Sequence, residues 1–142
     1  MKILETEYVT GVSLDGAVAR DVFGMEVVPS PSIGSWQIKI ANGEYRRLLS
    51  YSTDDATALR VLERMGELGW WAQITTPYRP GGSWLVGFTP QGAYNWDDSP
   101  DYEAAGRSLA GPTCAAALAA VRARAEFGAR AHDEDGSRER DE

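Results

Sequence analysis

The sequence predicts an α+β fold: an antiparallel sheet of about four strands, built from two hairpins and sandwiched by three helices. Three observations carry this. Apolar residues recur at helical spacing in three separate stretches, near residues 14–22, 58–68 and 114–121. Between them lie two runs with strand character, each with turn chemistry at its centre, Asn42-Gly43 in one and residues 77–82 in the other. The order helix, hairpin, helix, hairpin, helix lets the hairpins join side by side, and does not give the alternation of a doubly wound sheet.

Residues 1–12 are mixed in character and read as a short extended arm. Leu14, Val18 and Val22 fall at i, i+4 and i+8, with Ser13 as N-cap, Asp15 at the positive end and Gly24 as the stop. Two prolines and two serines make 27–34 a loop. Trp36, Ile38 and Ile40 then alternate with polar residues as a half-buried strand. Asn42-Gly43 predicts a type I′ turn, since both central positions need positive φ, and the return strand covers 44–49. Thr53 or Asp54 caps the second helix, whose apolar face is Leu59, Leu62 and Met65, widened by Ala58, Val61 and Leu68. Gly69 ends it. Residues 70–76 are rich in aromatic and β-branched residues and read as a strand. The partner strand, 83–89, places Trp84, Val86 and Phe88 on one face. Trp36, Trp71 and Trp84 are expected in the core. Residues 90–107 read as one long polar loop, a length that in a small domain points to function. Gly111-Pro112 opens the last helix, with proline in the first turn where its missing N–H costs nothing. Cys114, Ala117, Leu118 and Val121 form its narrow apolar stripe, and Arg122 and Arg124 suit its C-terminal end.

At 142 residues the chain is expected to form a single domain over 1–128, followed by an acidic tail over 129–142. The net charge of −7 is unevenly placed. Six acids against two bases after residue 130 put −4 in residues 131–142 and −3 in the rest. That tail has no large apolar side chain with which to offset its ordering entropy, so it reads as disordered. No apolar run approaches the roughly 20 residues of a membrane span, and no signal-type apolar segment follows Met1. A cytoplasmic location and no membrane partner are expected.

Chemistry-bearing residues are sparse. Cys114 is the only cysteine and lies among alanines, which reads as a buried, inert thiol. His132 is the only histidine and falls in the tail, where it cannot be oriented as a base. Asp97, Asp98, Asp101 and Glu103 could offer oxygen ligands, but their spacing is not that of a calcium loop. No catalytic residue, metal or cofactor is assigned. The absence of a basic stripe argues against direct nucleic-acid binding. The loop aromatics carry more weight. Tyr78, Tyr94, Trp96 and Tyr102, with Arg79 and Arg107, can stack a planar group and hold a phosphate. Together with Asp97, Asp98 and Asp101, they form the candidate ligand- or partner-binding set.

Three pieces, LDGAVARDVFGM at 14–25, YSTDDATALRVLERM at 51–65 and SLAGPTCAAALAAVRA at 108–123, taken in that order, resemble the phage ABA sandwich domain family. The resemblance implies an antiparallel sheet layered with helices and an origin in a phage or prophage. It implies no activity, because the family has no catalytic signature to carry over. The chain departs from the family pattern at 27–33, at 94–102 and in the acidic tail. The expectation is a non-enzymatic phage accessory protein that binds and inhibits a host defence protein, a CRISPR complex included. The alternatives are a protein that sequesters a nucleotide signal, and a structural or virion module. The alanine-rich last helix and the hairpin edges also suit a homodimer.

Overall fold

The computed structural model describes residues 12–29, 36–40, 42–91 and 101–140, the last of these as backbone alone beyond Glu126. The fold is α+β, with three helices and two separate three-stranded antiparallel sheets among the described residues. The elements run α1 (Val12–Asp21), β1 (Glu26–Pro29), β2 (Trp36–Lys39), β3 (Tyr45–Arg47), α2 (Asp55–Glu67), β4 (Trp70–Thr75), β5 (Trp84–Pro90), β6 (Tyr102–Gly106) and α3 (Ala110–Arg140).

This corrects the expectation of one sheet of about four strands. Each hairpin forms, but each gains its third strand from a stretch that reads as loop. Val27 and Val28 pair with Ile38 and Gln37, so β1 is a real edge strand despite Pro29. Residues 102–106 pair with β5, with Tyr102 opposite Phe88 and Gly106 opposite Trp84. The sheets do not join. The inner face of β4–β5–β6 packs on α3, α2 packs on β4 and α3, and α1 packs on α3 while carrying β1 and β2. The helices therefore fill the space between two sheets and do not enclose one.

The α3 helix sits at the centre. Ala110, Cys114, Ala116, Ala117, Leu118 and Ala120 are all buried, because α1, α2, β5 and β6 approach it from different sides. Small side chains permit that close approach, which explains the alanines better than helix propensity does. The core continues through Leu14, Val18 and Val22 of α1, Val61 and Met65 of α2, and Trp70, Val86, Phe88 and Ala104 of the sheet. In α2 the buried stripe is Ala58, Val61 and Met65, and Leu59 stands outside it at 55% exposure. Backbone helix also continues to Arg140, across residues that composition alone reads as a tail.

Local chemistry fixes the helix ends. Asp54 caps α2: its Oδ1 accepts the Ala56 N–H at 3.0 Å and its Oδ2 accepts the Thr57 hydroxyl at 2.8 Å. Those bonds hold the Asp54 carboxyl below its usual range. Asp55, one residue on, turns away from its own helix and accepts the Ala110 N–H at 3.0 Å, so the start of α2 caps the start of α3. Ser13 is not the cap of α1, which already begins at Val12. Gly24 does end α1, in the left-handed region at φ 69°. At the other predicted turn Gly43 alone has positive φ, so the type I′ expectation fails. The Gly43 N–H instead donates to the Ile40 carbonyl at 3.0 Å, and the Ile40 N–H to Glu44 at 2.9 Å, a longer loop closed by one glycine.

Arg122 and Arg124 do not serve the end of their own helix, which lies further on. Arg122 Nε donates to Asp21 Oδ2 at 3.0 Å, at the end of α1. Burial alone would raise the Asp21 carboxyl, but its bonds to Arg20 and Arg122 outweigh this and lower it. Arg124 donates to the Leu68 carbonyl beyond α2 and lies 4.1 Å from the Trp70 ring centre. A cation on free carbonyls and over an indole face stabilises twice. Arg124→Ala is expected to cost about 1–2 kcal/mol, read as a lower urea midpoint with an unchanged slope.

Candidate functional site

A cleft of about 790 Å³ opens at the β4–β5 hairpin, lined by Pro77, Tyr78, Arg79, Pro80, Gly81, Gly82, Trp84 and Arg107. Its geometry follows from the chain. Pro77 and Pro80 stiffen the loop, and Gly81 takes φ 80°. The Gly82 N–H donates back to the Arg79 carbonyl at 2.9 Å. A side chain at Gly82 would start 3.0 Å from that carbonyl oxygen, tighter than an ordinary contact, so glycine suits the turn. Arg107 reaches the same place through strand register. Trp84, the first residue of β5, pairs with Gly106, the last of β6, so the next residue emerges beside the hairpin.

Gly106 itself is held against the first turn of α3. A Cβ there would lie 2.7 Å from Pro112 Cδ. The backbone that presents Arg107 is thus pinned to the central helix, while Tyr78 stands fully exposed at the loop tip. Among the described residues the lining contains two aromatic rings, two guanidinium groups and no carboxylate. Such a surface can stack a planar group and neutralise an anion.

Only part of the predicted set meets here. Tyr78, Arg79 and Arg107 come together. Asp101 and Tyr102 do not: they line a different cleft of about 330 Å³ with Trp70, Pro90, Ala123, Arg124 and Glu126. The separation is geometric, since Tyr102 and Gly106 sit at opposite ends of β6, about 13 Å apart. Tyr102 is also engaged, with its ring edge-on to Trp70 at 5.8 Å and 79°. Tyr94, Trp96, Asp97 and Asp98 lie outside the described residues, so the proposed carboxylate cup is not described either. Among the described residues no group of three or more His, Cys, Asp or Glu could hold a metal ion.

Trp84 is the functional candidate that its strand pattern hid. Alternation assigns it to the core with Val86 and Phe88, but it is the terminal residue of that face and only half-buried, so it lines the cleft. Its position beside a Pro/Gly loop was the available signal. The other tryptophans also depart from expectation. Trp36 and Trp71 are exposed, and Trp70 is the buried one among the described residues.

Away from the cleft, a polar cluster lies inside the core. Asp15 is 5% exposed, and its Oδ1 accepts the Ser52 N–H at 2.7 Å. Burial raises the Asp15 carboxyl even though the Ser52 side chain and backbone both bond it. Burial, with the nearby Asp15 charge, also pushes the Cys114 thiol far above its usual value. Cys114 is therefore a buried, inert thiol, as its alanine-rich setting predicts.

No helix among the described residues is long and apolar enough to cross a membrane. No family model, curated protein or solved structure matches the chain.

Proposed function

We propose that this chain is a non-enzymatic binding protein and that the hairpin cleft is where it captures a small anionic ligand with a planar ring, a nucleotide in chemical terms. One observation carries the reading: Tyr78, Arg79, Trp84 and Arg107 converge on one concave surface that, among the described residues, no carboxylate lines. Aromatic faces accept a base, and guanidinium groups grip phosphate with paired N–H donors. The inert Cys114 and the thin supply of bases support binding without turnover. In the phage setting that the sequence resemblance implies, capture of this kind sequesters a nucleotide alarm signal of the host.

The test is a thermal-shift panel with ATP, a cyclic dinucleotide, cyclic ADP-ribose and inorganic phosphate. A true ligand at a hundred times its Kd adds about 2.7 kcal/mol of stability. Arg107→Ala is expected to abolish that gain without lowering the stability of the free protein, because Arg107 is exposed. No shift with any nucleotide sinks the reading.

A second reading rests on Tyr78. A fully exposed aromatic beside an arginine at a rigid loop tip is the composition of a protein-binding hot spot. It supports inhibition of a host defence protein through the same hairpin. Capture of one defined host complex that is lost in Tyr78→Ala, with no nucleotide shift, would favour it over the first.

A further inference from the structure

Positive charge collects on the β2–β3 hairpin. Residues 36–49 hold three bases against Glu44, a net +2, which leaves −9 on the rest of the chain. Lys39, Arg46 and Arg47 are exposed, and among the described residues none of them is in an ion pair. Tyr45, beside them, is 53% exposed. Register turns this charge into a surface. Ile38 is buried and α1 packs on β2, so the Ile38 side of the sheet faces inward. Side chains alternate along a strand, so Gln37 and Lys39 face outward. Lys39 lies directly opposite Tyr45, and Gln37 directly opposite Arg47, which puts all four on the outer face. Tyr45 thus has one cation across the strand pair and a second two residues along its own strand. Among the described residues the one acid that register places on this face is Glu26, on the far side of Lys39. No stripe of bases announces the patch in the sequence, because Lys39 and Arg47 meet only through the hairpin.

We infer that the outer face of β2–β3 binds single-stranded nucleic acid, with a base stacked on Tyr45 and phosphates held by Lys39 and Arg47. A sheet face offers its aromatic ring to an unpaired base, and every base has a stacking face, so no sequence needs to be read. The backbones of Lys39 and Arg47 stand about 8 Å apart, one strand spacing across and two residues along. Their long side chains can take neighbouring phosphates while the ring holds the base between them. A duplex keeps its bases stacked and cannot use the ring. An anionic membrane or an acidic peptide would meet the cations and leave Tyr45 without a stacking partner. The negative charge elsewhere repels a polyanion and confines it to this sheet, and two phosphate contacts make the binding weak and salt-sensitive. The inference does not rest on the β4–β5 cleft, whose lining belongs to the other sheet and its loops.

The test is fluorescence anisotropy of a labelled oligothymidylate of about 12 nucleotides, titrated with the full chain between about 20 and 200 mM salt. Binding is expected at low salt and should weaken as salt rises. Tyr45→Ala is expected to lose about tenfold in affinity, and Tyr45→Phe, which keeps the ring, to retain it. Lys39→Ala and Arg47→Ala should each lower the slope of log affinity against log salt by about 0.7. All three positions are exposed, so far-UV spectra should not change. Arg107→Ala, at the other sheet, should bind as the wild type does. No binding at the lowest salt would overturn the inference. So would an unchanged affinity in Tyr45→Ala, a loss that appears in Arg107→Ala instead, or equal binding of a duplex or of anionic phospholipid vesicles.

Discussion

Phe88→Ala is expected to lower stability by about 3–5 kcal/mol, a large share of the total for a domain of this size. Phe88 is fully buried on the central strand of its sheet, opposite Ala72 on one side and Tyr102 on the other. That face of the sheet packs on α3, whose contacting residues are mostly alanine. Alanines cannot extend into a vacated ring volume, so the cavity persists and its cost adds to the lost transfer energy. Phe88→Leu, which keeps much of the volume, should recover most of the loss. Chemical denaturation of the three proteins checks this. A Phe88→Ala loss under 1 kcal/mol would mean that the sheet and α3 are not packed as described.

Replacing Asp15 should separate a hydrogen bond from a charge. Asp15→Ala leaves the buried Ser52 N–H without its acceptor and is expected to cost about 1–3 kcal/mol. Asp15→Asn keeps an acceptor oxygen and removes the charge, so at neutral pH it should match or exceed the wild type. The sign follows from the raised carboxyl. The native state holds the proton more tightly than the unfolded chain, so this group's contribution is fully present below its ordinary value of 3.8 and is lost as pH rises through the native value. Wild-type stability relative to Asp15→Asn should therefore fall as pH climbs from about 4. A gap that widens instead as pH falls would show a carboxylate stabilised by its site.

Much of the fold is legible from side-chain periodicity, and the failures share a cause. α2 is readable down to its cap because Asp54 and the stripe Ala58, Val61 and Met65 are local signals. Leu59 falls outside the buried stripe, since the run offers apolar residues on more than one helical phase. β6 is hidden because its pairing partner, not intrinsic preference, makes it a strand, whereas β1 has the strand-forming Val27 and Val28 and is hidden by the prolines and serines that follow them. Tyr102–Gly106 reads YEAAG, with no β-branched residue, and it extends because β5 lies beside it. The number of sheets depends on whether two hairpins meet, which no local pattern encodes.

The cleft was legible in part for the same reason. Tyr78 and Arg79 lie next to each other in a recognisable loop. Arg107 joins them only through the pairing of Trp84 with Gly106, and Tyr102 is removed from them by the length of one strand. Residue type named the chemistry, and register decided which residues could share it.

The seating of the β1–β2–β3 sheet has a thermodynamic corollary. Among the described elements it meets the rest of the molecule through α1 alone, and its one buried side chain among the described residues is Ile38. Elements fastened at one place need not melt with the whole. The chain then has two cooperative units of unequal depth. The small sheet can detach at low free-energy cost while the helices and the β4–β5–β6 sheet stay assembled, so a single unfolding energy describes the body and overstates the appendage.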